Sequence, residues 1–262
     1  MEKICQEVIE TAKAAGAFIA GERTNFDLKL VESKGKANFV SYVDKKAEEL
    51  IVDRLRKLIP GSGFITEEGT ATAAGEKYRW VIDPLDGTTN FIHGMPPYAV
   101  SIALMEDDEI VLGVVYEITR DECFYAWKGS KAMLNGKEIH VSEASSTEES
   151  LIVTGFPYGI IKNSEAFMET IRHLMVNSHG IRRLGSAATD LSYVAAGRFE
   201  AFWETGLSPW DVAAGVIILR QAGGKVTDFK GSNNFLFGGE IVATNHNYFN
   251  EFQSIIENNY CK

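Results

Sequence analysis

Trp80-Val81-Ile82-Asp83-Pro84-Leu85-Asp86-Gly87-Thr88-Thr89-Asn90-Phe91 is the stretch on which the reading of this chain turns. Val81 and Ile82 end a short apolar run that reads as a buried strand. Pro84 and Gly87 then turn the backbone, which places Asp83, Asp86 and Thr88 on a tight turn rather than a smooth strand. Such a turn can aim several oxygens at one point, the backbone carbonyl of Leu85 among them. Gathered carboxylates repel one another unless a cation lies between them. An all-oxygen set suits a hard cation such as magnesium. Taken singly, an Asp-Pro or Asp-Gly turn is only a common turn former.

Two further acidic places change the weight of that reading. Glu67 and Glu68 follow the apolar run Gly63-Phe64-Ile65, where a short strand ends. Asp211 follows Pro209-Trp210 and opens an apolar segment, the position of a helix N-terminus. Acidic residues at the ends of separate elements can converge at one edge of a sheet, where open α/β folds bind their ligands.

Outward from this stretch, the first half reads as two helices on a largely antiparallel sheet. Ile4, Val8, Ala12, Ala15 and Ile19 repeat at the helical period over residues 1–19. Ala47, Leu50, Ile51, Leu55 and Leu58 give a second stripe, stopped by Pro60-Gly61. Between them, residues 31–38 are rich in Lys, Gly and Ser and read as a solvated loop. A short helix is expected over 88–93, and strand-like runs over 99–105, 110–116 and 122–126, with Asn135-Gly136 as a hairpin signal. Residues 142–150 are polar and mark the expected boundary between an N-terminal half, 1–145, and a C-terminal half, 146–262. The second half alternates strands (151–154, 181–184, 199–203, 225–227, 241–243) with helices (164–176, 186–196, 211–221, 247–258). The helix at 164–176 is expected to bury Phe167, Ile171, Leu174 and Met175. This pattern gives a smaller α/β half, with the site between the two.

The 262-residue length is enough for a substantial core. A formal net charge of −10 argues against a diffuse nucleic-acid surface. No apolar run is long enough for a membrane span, and no signal-peptide pattern is read at the N-terminus. Cys5, Cys123 and Cys261 have neither metal spacing nor a paired framework and read as free thiols of a reducing cytoplasm. His93 lacks a second ligand-type partner nearby and reads as structural or rim.

WVIDPLDGTTNF, with ITEE upstream and PWDVAAG downstream, resembles the inositol monophosphatase family of magnesium-dependent, lithium-sensitive sugar phosphatases. The resemblance implies a layered αβαβα sugar-phosphatase fold, an α/β class with α+β character, and a homodimer. It implies one metal held by Glu67, Asp83, the Leu85 carbonyl and, near the water, Thr88. A second would be held by Asp83, Asp86 and Asp211, with a third, looser Mg2+ on Glu67. Glu67 and Thr88 would position the attacking water. The residues alone do not choose between Glu67 and Glu68; the resemblance points to Glu67.

The resemblance also implies a lid lysine, for which Lys34 fits the pattern Lys-Gly-x-x-Asn-Phe-Val-Ser and Lys36 is the rival. Asp44 would orient groups around the metals, although an acid in the first turn of a helix is favourable on its own account. Gly87, Thr88 and Thr89 read as a phosphate cradle at a helix start. Gly185, Ser186 and Ala187 would admit a polyol closely. Glu204 would accept hydrogen bonds from its hydroxyls, with Asp190 as a further candidate.

The expected substrate is a small-molecule phosphate ester, myo-inositol 1-phosphate before fructose 1,6-bisphosphate, 3'-phosphoadenosine 5'-phosphate, NADP or histidinol phosphate. Thr89 stands where nucleotide and histidinol relatives more often carry lysine, and Glu204 is unhelpful to a second phosphate. The competing class is a regulatory protein that kept the fold. Contact with RNA polymerase would follow by analogy with some bacterial relatives.

Overall fold

The computed structural model describes residues 1–24, 31–35, 38–71, 75, 77–156 and 164–260. Lys36, Cys261 and parts of the expected loops fall outside the described residues. Among the described residues there are seven α-helices and fourteen strands.

A seven-stranded sheet runs in the order β3 (Gly63–Thr66), β4 (Tyr78–Asp86), β5 (Ala99–Glu106), β6 (Glu109–Glu117), β7 (Glu122–Trp127), β8 (Met133–Leu134) and β9 (Lys137–Glu138). β3 and β4 are parallel and the other neighbours antiparallel. The parallel pair matters most for the site. It brings the C-terminal ends of β3 and β4, and so Glu67 and the Asp83–Asp86 segment, to one edge. A second, five-stranded sheet runs β11 (Gly180–Arg182), β10 (Leu151–Thr154), β12 (Ala201–Thr205), β14 (Glu240–Thr244), β13 (Lys225–Thr227). Here β10 is parallel to β11 and β12, while β14 is antiparallel to both its neighbours.

Five layers follow from where the apolar faces go. α1 (Glu2–Arg23) and α2 (Tyr42–Leu58) cover the outer face of the first sheet. Val8, Ala12, Ile51 and Leu55 pack there with Trp80, Ile82 and Leu112. α5 (Ala187–Ala195) and α6 (Pro209–Gln221) lie between the sheets. Leu191, Val212 and Ile218 share one core with Val81 and Val115 on one side and Val153 and Phe202 on the other. α4 (Ser164–Asn177) and α7 (Phe249–Tyr260) close the far face over Ile152, Trp203 and Val242. Burying each such aliphatic side chain contributes roughly 1.5–3 kcal/mol. This is the αβαβα arrangement that the motifs implied.

The middle layer needs glycine. A Cβ at Gly113 of β6 would stand 2.5 Å from the Ala214 carbonyl oxygen of α6, and one at Gly215 would press 2.6 Å from Leu191 of α5. Without them α6 could not lie so close to both the sheet and α5.

Three local expectations are corrected. Val31–Gly35 (β1) pairs antiparallel with Asn38–Ser41 (β2), where a loop was expected; the backbone of Lys34 is therefore in a strand. The Asp83–Asp86 segment is the end of β4, not a turn after it. Pairing with β5 shifts register between Asp83 and Asp86, and this irregularity takes up Pro84, which has no N–H for the ladder. Met175 is 65% exposed, because the buried stripe of α4 is carried by Phe167, Thr170 and Leu174.

Candidate active site

Asp83, Asp86 and Asp211 each place a carboxylate oxygen so that the three lie within 4.8 Å of one another. Two come from the end of β4. The third is the third residue of α6, the helix that crosses the same edge from the middle layer. Asp211 Oδ2 accepts a hydrogen bond from the Ser208 N–H at 2.6 Å, so it closes the first turn of α6 and faces the acids of β4 with one side chain. Ser101 Oγ of β5 donates to the Trp210 carbonyl at 3.2 Å, tying that helix start to the sheet.

The acids are held in place by their neighbours. Asp83 Oδ1 accepts the Leu85 N–H at 2.9 Å. Asp86 Oδ2 accepts both the Ser186 hydroxyl and the Ala188 N–H at 2.7 Å. The Ser186 hydroxyl, a candidate polyol contact by sequence, is thus engaged on Asp86. Glu67 lies within hydrogen-bonding reach of Asp83. The Thr88 hydroxyl sits 2.9 Å from Asp44 Oδ1 and 3.0 Å from the Leu85 carbonyl, with one proton to give. Asp44 is 1% exposed, so it is a buried acceptor for Thr88 rather than only a first-turn charge on α2.

Burial dominates the electrostatics. It holds the Asp83 carboxyl well above the usual carboxylate range, and the charges of Glu67, Asp86 and Asp211 push the same way. Burial raises Asp86 only to about 6, because Ser186, Ala188, Ala187 and Arg183 favour its charged form. Asp211 is pushed up to about 8 by burial and by Asp86. Stacked like charges without solvent are costly unless a cation joins them. With the Leu85 carbonyl beside them, the donors are all oxygen. That set fits a hard divalent cation.

These acids line one cleft with Glu67, Leu85, Gly87, Thr88, Thr89, Gly185, Ser186, Ala187 and Glu204. Gly87 has φ 91° and stands at the start of α3 (Thr88–His93), as expected. A Cβ on it would come within 3.0 Å of the Pro97 carbonyl oxygen and 3.2 Å of that of Gly185, so the turn is pressed against the loop before α5. Asn90 of α3 donates to the carbonyls of both Pro97 and Leu184, at 2.7 and 2.8 Å. Glu204 lies on β12, not in a loop, and burial raises its carboxyl to about 8. Asp190 is 1% exposed, and neither of its oxygens has a hydrogen-bond partner among the described residues.

The whole chain can now be placed among known proteins. Residues 1–258 match the inositol monophosphatase family. The chain belongs to that family. It is 43% identical over 98% of its length, and 97% of the relative's, to a Pseudomonas aeruginosa protein named Nus factor SuhB. It is 42% identical to an inositol-1-monophosphatase of Mesorhizobium japonicum, covering 91% of this chain and 90% of that one. Among solved structures, the extragenic suppressor protein suhB of Bartonella henselae superposes with a TM-score of 0.90 at 40% identity, over 96% of this chain and 97% of the other.

Against the family motifs, sequence reasoning missed Gly155 and Arg183, which also line the cleft. The Arg183 guanidinium lies 5.7 Å over the Phe156 ring and opposes the burial that raises the Glu204 and Asp190 carboxyls. Its place two residues before Gly185 was the available signal. Gly155 left none in the sequence: a Cβ there would overlap the Glu204 carboxylate. His93 is exposed at the end of α3 and does not line the cleft. Cys5 and Cys123 are buried free thiols pushed up to about 12, far from nucleophile settings. No helix among the described residues is long and apolar enough to cross a membrane.

Proposed function

We propose that this protein is a magnesium-dependent phosphomonoesterase acting on a polyol phosphate, with myo-inositol 1-phosphate as the first substrate to test. The observation that carries the reading is the meeting of Asp83, Asp86 and Asp211 within 4.8 Å, in a cleft whose other wall holds Glu204. Glu67, Asp83, the Leu85 carbonyl and Thr88 would hold one Mg2+; Asp83, Asp86 and Asp211 would hold a second, and Glu67 a looser third. Bound magnesium would lower the pKa of a water and offset charge on the phosphoryl oxygens.

The chain's own residues do the remaining work. Thr88 and Glu67 would orient the water in line with the ester oxygen, and Glu67 would take its proton. The water oxygen bonds to phosphorus as its proton passes to Glu67, the phosphorus–oxygen ester bond breaks, and the alkoxide leaves as the alcohol with a proton from a solvent water. N–H groups of Gly87, Thr88 and Thr89 receive the phosphate. Glu204 accepts from substrate hydroxyls beside Gly185 and Ala187, and Lys34 would be the lid lysine. A homodimer in the cytoplasm is part of the same reading.

The test is a panel at fixed magnesium. It compares inositol 1-phosphate, fructose 1,6-bisphosphate, NADP and adenosine 3',5'-bisphosphate, with Asp83→Asn as the blank. Turnover retained by the blank refutes the site. Preference for a nucleotide refutes only the substrate.

The relative named Nus factor supports a second reading, a protein that binds the transcription machinery. A pure binding role predicts no magnesium-stimulated phosphate release and co-purification with RNA polymerase.

A further inference from the structure

We infer that Glu48 is a positioning residue that sets the place of Glu67 by clamping the chain just beyond it. This rests on the phosphatase reading for what Glu67 does, though not for the clamp itself. Glu48 belongs to α2, is 0% exposed and spends both carboxylate oxygens on one short segment. Oε2 accepts the Glu68 N–H at 2.8 Å. Oε1 accepts the Thr70 N–H at 2.8 Å and the Thr70 hydroxyl at 2.7 Å.

The clamp begins where the sheet stops helping. The last ladder bond at this edge is Glu67 N–H to the Ile82 carbonyl, long at 3.3 Å. Beyond it the chain turns at Gly69, whose φ is 69°. An unsupported turn there would leave the Glu67 side chain free to swing with it. A carboxylate taking three donors makes strong hydrogen bonds, and its burial costs least when it is paired in this way.

One turn earlier on the same helix, Asp44 takes the Thr88 hydroxyl at 2.9 Å. Residues four apart share a helix face. The buried face of α2 therefore grips the end of β3 through Glu48 and the start of α3 through Asp44. The spacing between Glu67 and Thr88, the two residues proposed to position water, is set from a rigid helix rather than by two separate turns.

The test uses the full-length protein with Glu48→Gln and Glu48→Ala. Glutamine keeps the shape but points an NH2 at N–H donors, so part of the clamp is lost. Magnesium binding is measured by titration calorimetry without substrate, and hydrogen exchange is followed at residues 67–70. We expect about tenfold weaker magnesium binding, in the range lost when the groups that orient metal ligands are removed. Exchange at Glu68 and Thr70 should be faster, and KM for the phosphate ester should stay within about twofold as kcat falls. Thr70→Val, which removes only the hydroxyl bond, should give a smaller shift in the same direction.

A folded Glu48→Gln protein with wild-type magnesium binding and unchanged exchange overturns the inference. So does a Glu48→Gln protein that loses its fold, since Glu48 is then a general folding determinant. If the wild type binds magnesium with the expected variant shift but hydrolyses no ester, the phosphatase reading fails and the clamp stands.

Discussion

On the wall built by the seven-stranded sheet, the chain supplies its own donors: Leu85 N–H to Asp83, and Ser186 Oγ and Ala188 N–H to Asp86. On the wall built by β12 and α5, Asp190 is a buried carboxyl to which no described residue donates, and Glu204 is a half-buried one that faces the cleft. A buried polar group without a partner costs about 1–3 kcal/mol. The first wall is finished and aims its remaining lone pairs at one point, as a cation needs. On the second, Glu204 opens to the cleft while Asp190 lies behind the lining. The proposed function assigns chemistry to the first wall and substrate choice to the second.

Breaking the first wall should have the largest effect. Asp211→Asn keeps an acceptor for Ser208 and so keeps the start of α6, but removes one charge from the cluster. It should cost on the order of 10^2–10^3 in kcat, read as magnesium-dependent phosphate release. Wild-type turnover would place the chemistry elsewhere. On the second wall, Glu204→Gln should raise KM for a polyol phosphate by roughly tenfold, with kcat changed far less. An equal loss in kcat would erase the contrast between the walls.

Gly155→Ala sharpens the same point without touching a charge. The new methyl overlaps the Glu204 carboxylate, so KM should rise in the direction of Glu204→Gln, by several-fold. Steady-state kinetics on the two variants and the double variant should show that the effects do not add.

The smallest effect is one of stability. Folding raises Asp86 to about 6, and Asp211 and Glu204 to about 8, from values near 4. Between those limits the folded chain keeps protons that the unfolded chain has released. Stability in the absence of metal therefore falls as pH rises from about 4 to about 8 and levels off above. Magnesium-free protein should melt several degrees lower at pH 8.5 than at pH 5.5, and magnesium should narrow the gap. Equal melting temperatures would mean that these carboxyls are not strained in the fold.

Much of this was open to reading because the signals are local. A strand that ends in Asp-Pro-Leu-Asp-Gly, a helix that opens at Pro-Trp-Asp and the glycine at position 87 depend on neighbours within a few residues. The errors were local as well. The strand ran on through Asp83–Asp86 because a register shift against β5 accommodated Pro84. Val31–Gly35 became a strand because it found a partner in Asn38–Ser41.

By itself the sequence determined which oxygens the chain possesses and that each stands at the end of an element, since strand, turn and cap chemistry are set by adjacent residues. Only the tertiary structure decided that they meet. The parallel pairing of β3 with β4 aligns Glu67 with Asp83, and α6, laid close by Gly113 and Gly215, adds Asp211. Glu48, Gly155 and Arg183 acquired their places in the same way. Burial and close approach between residues far apart along the chain are properties of packing, and no short stretch of sequence carries them.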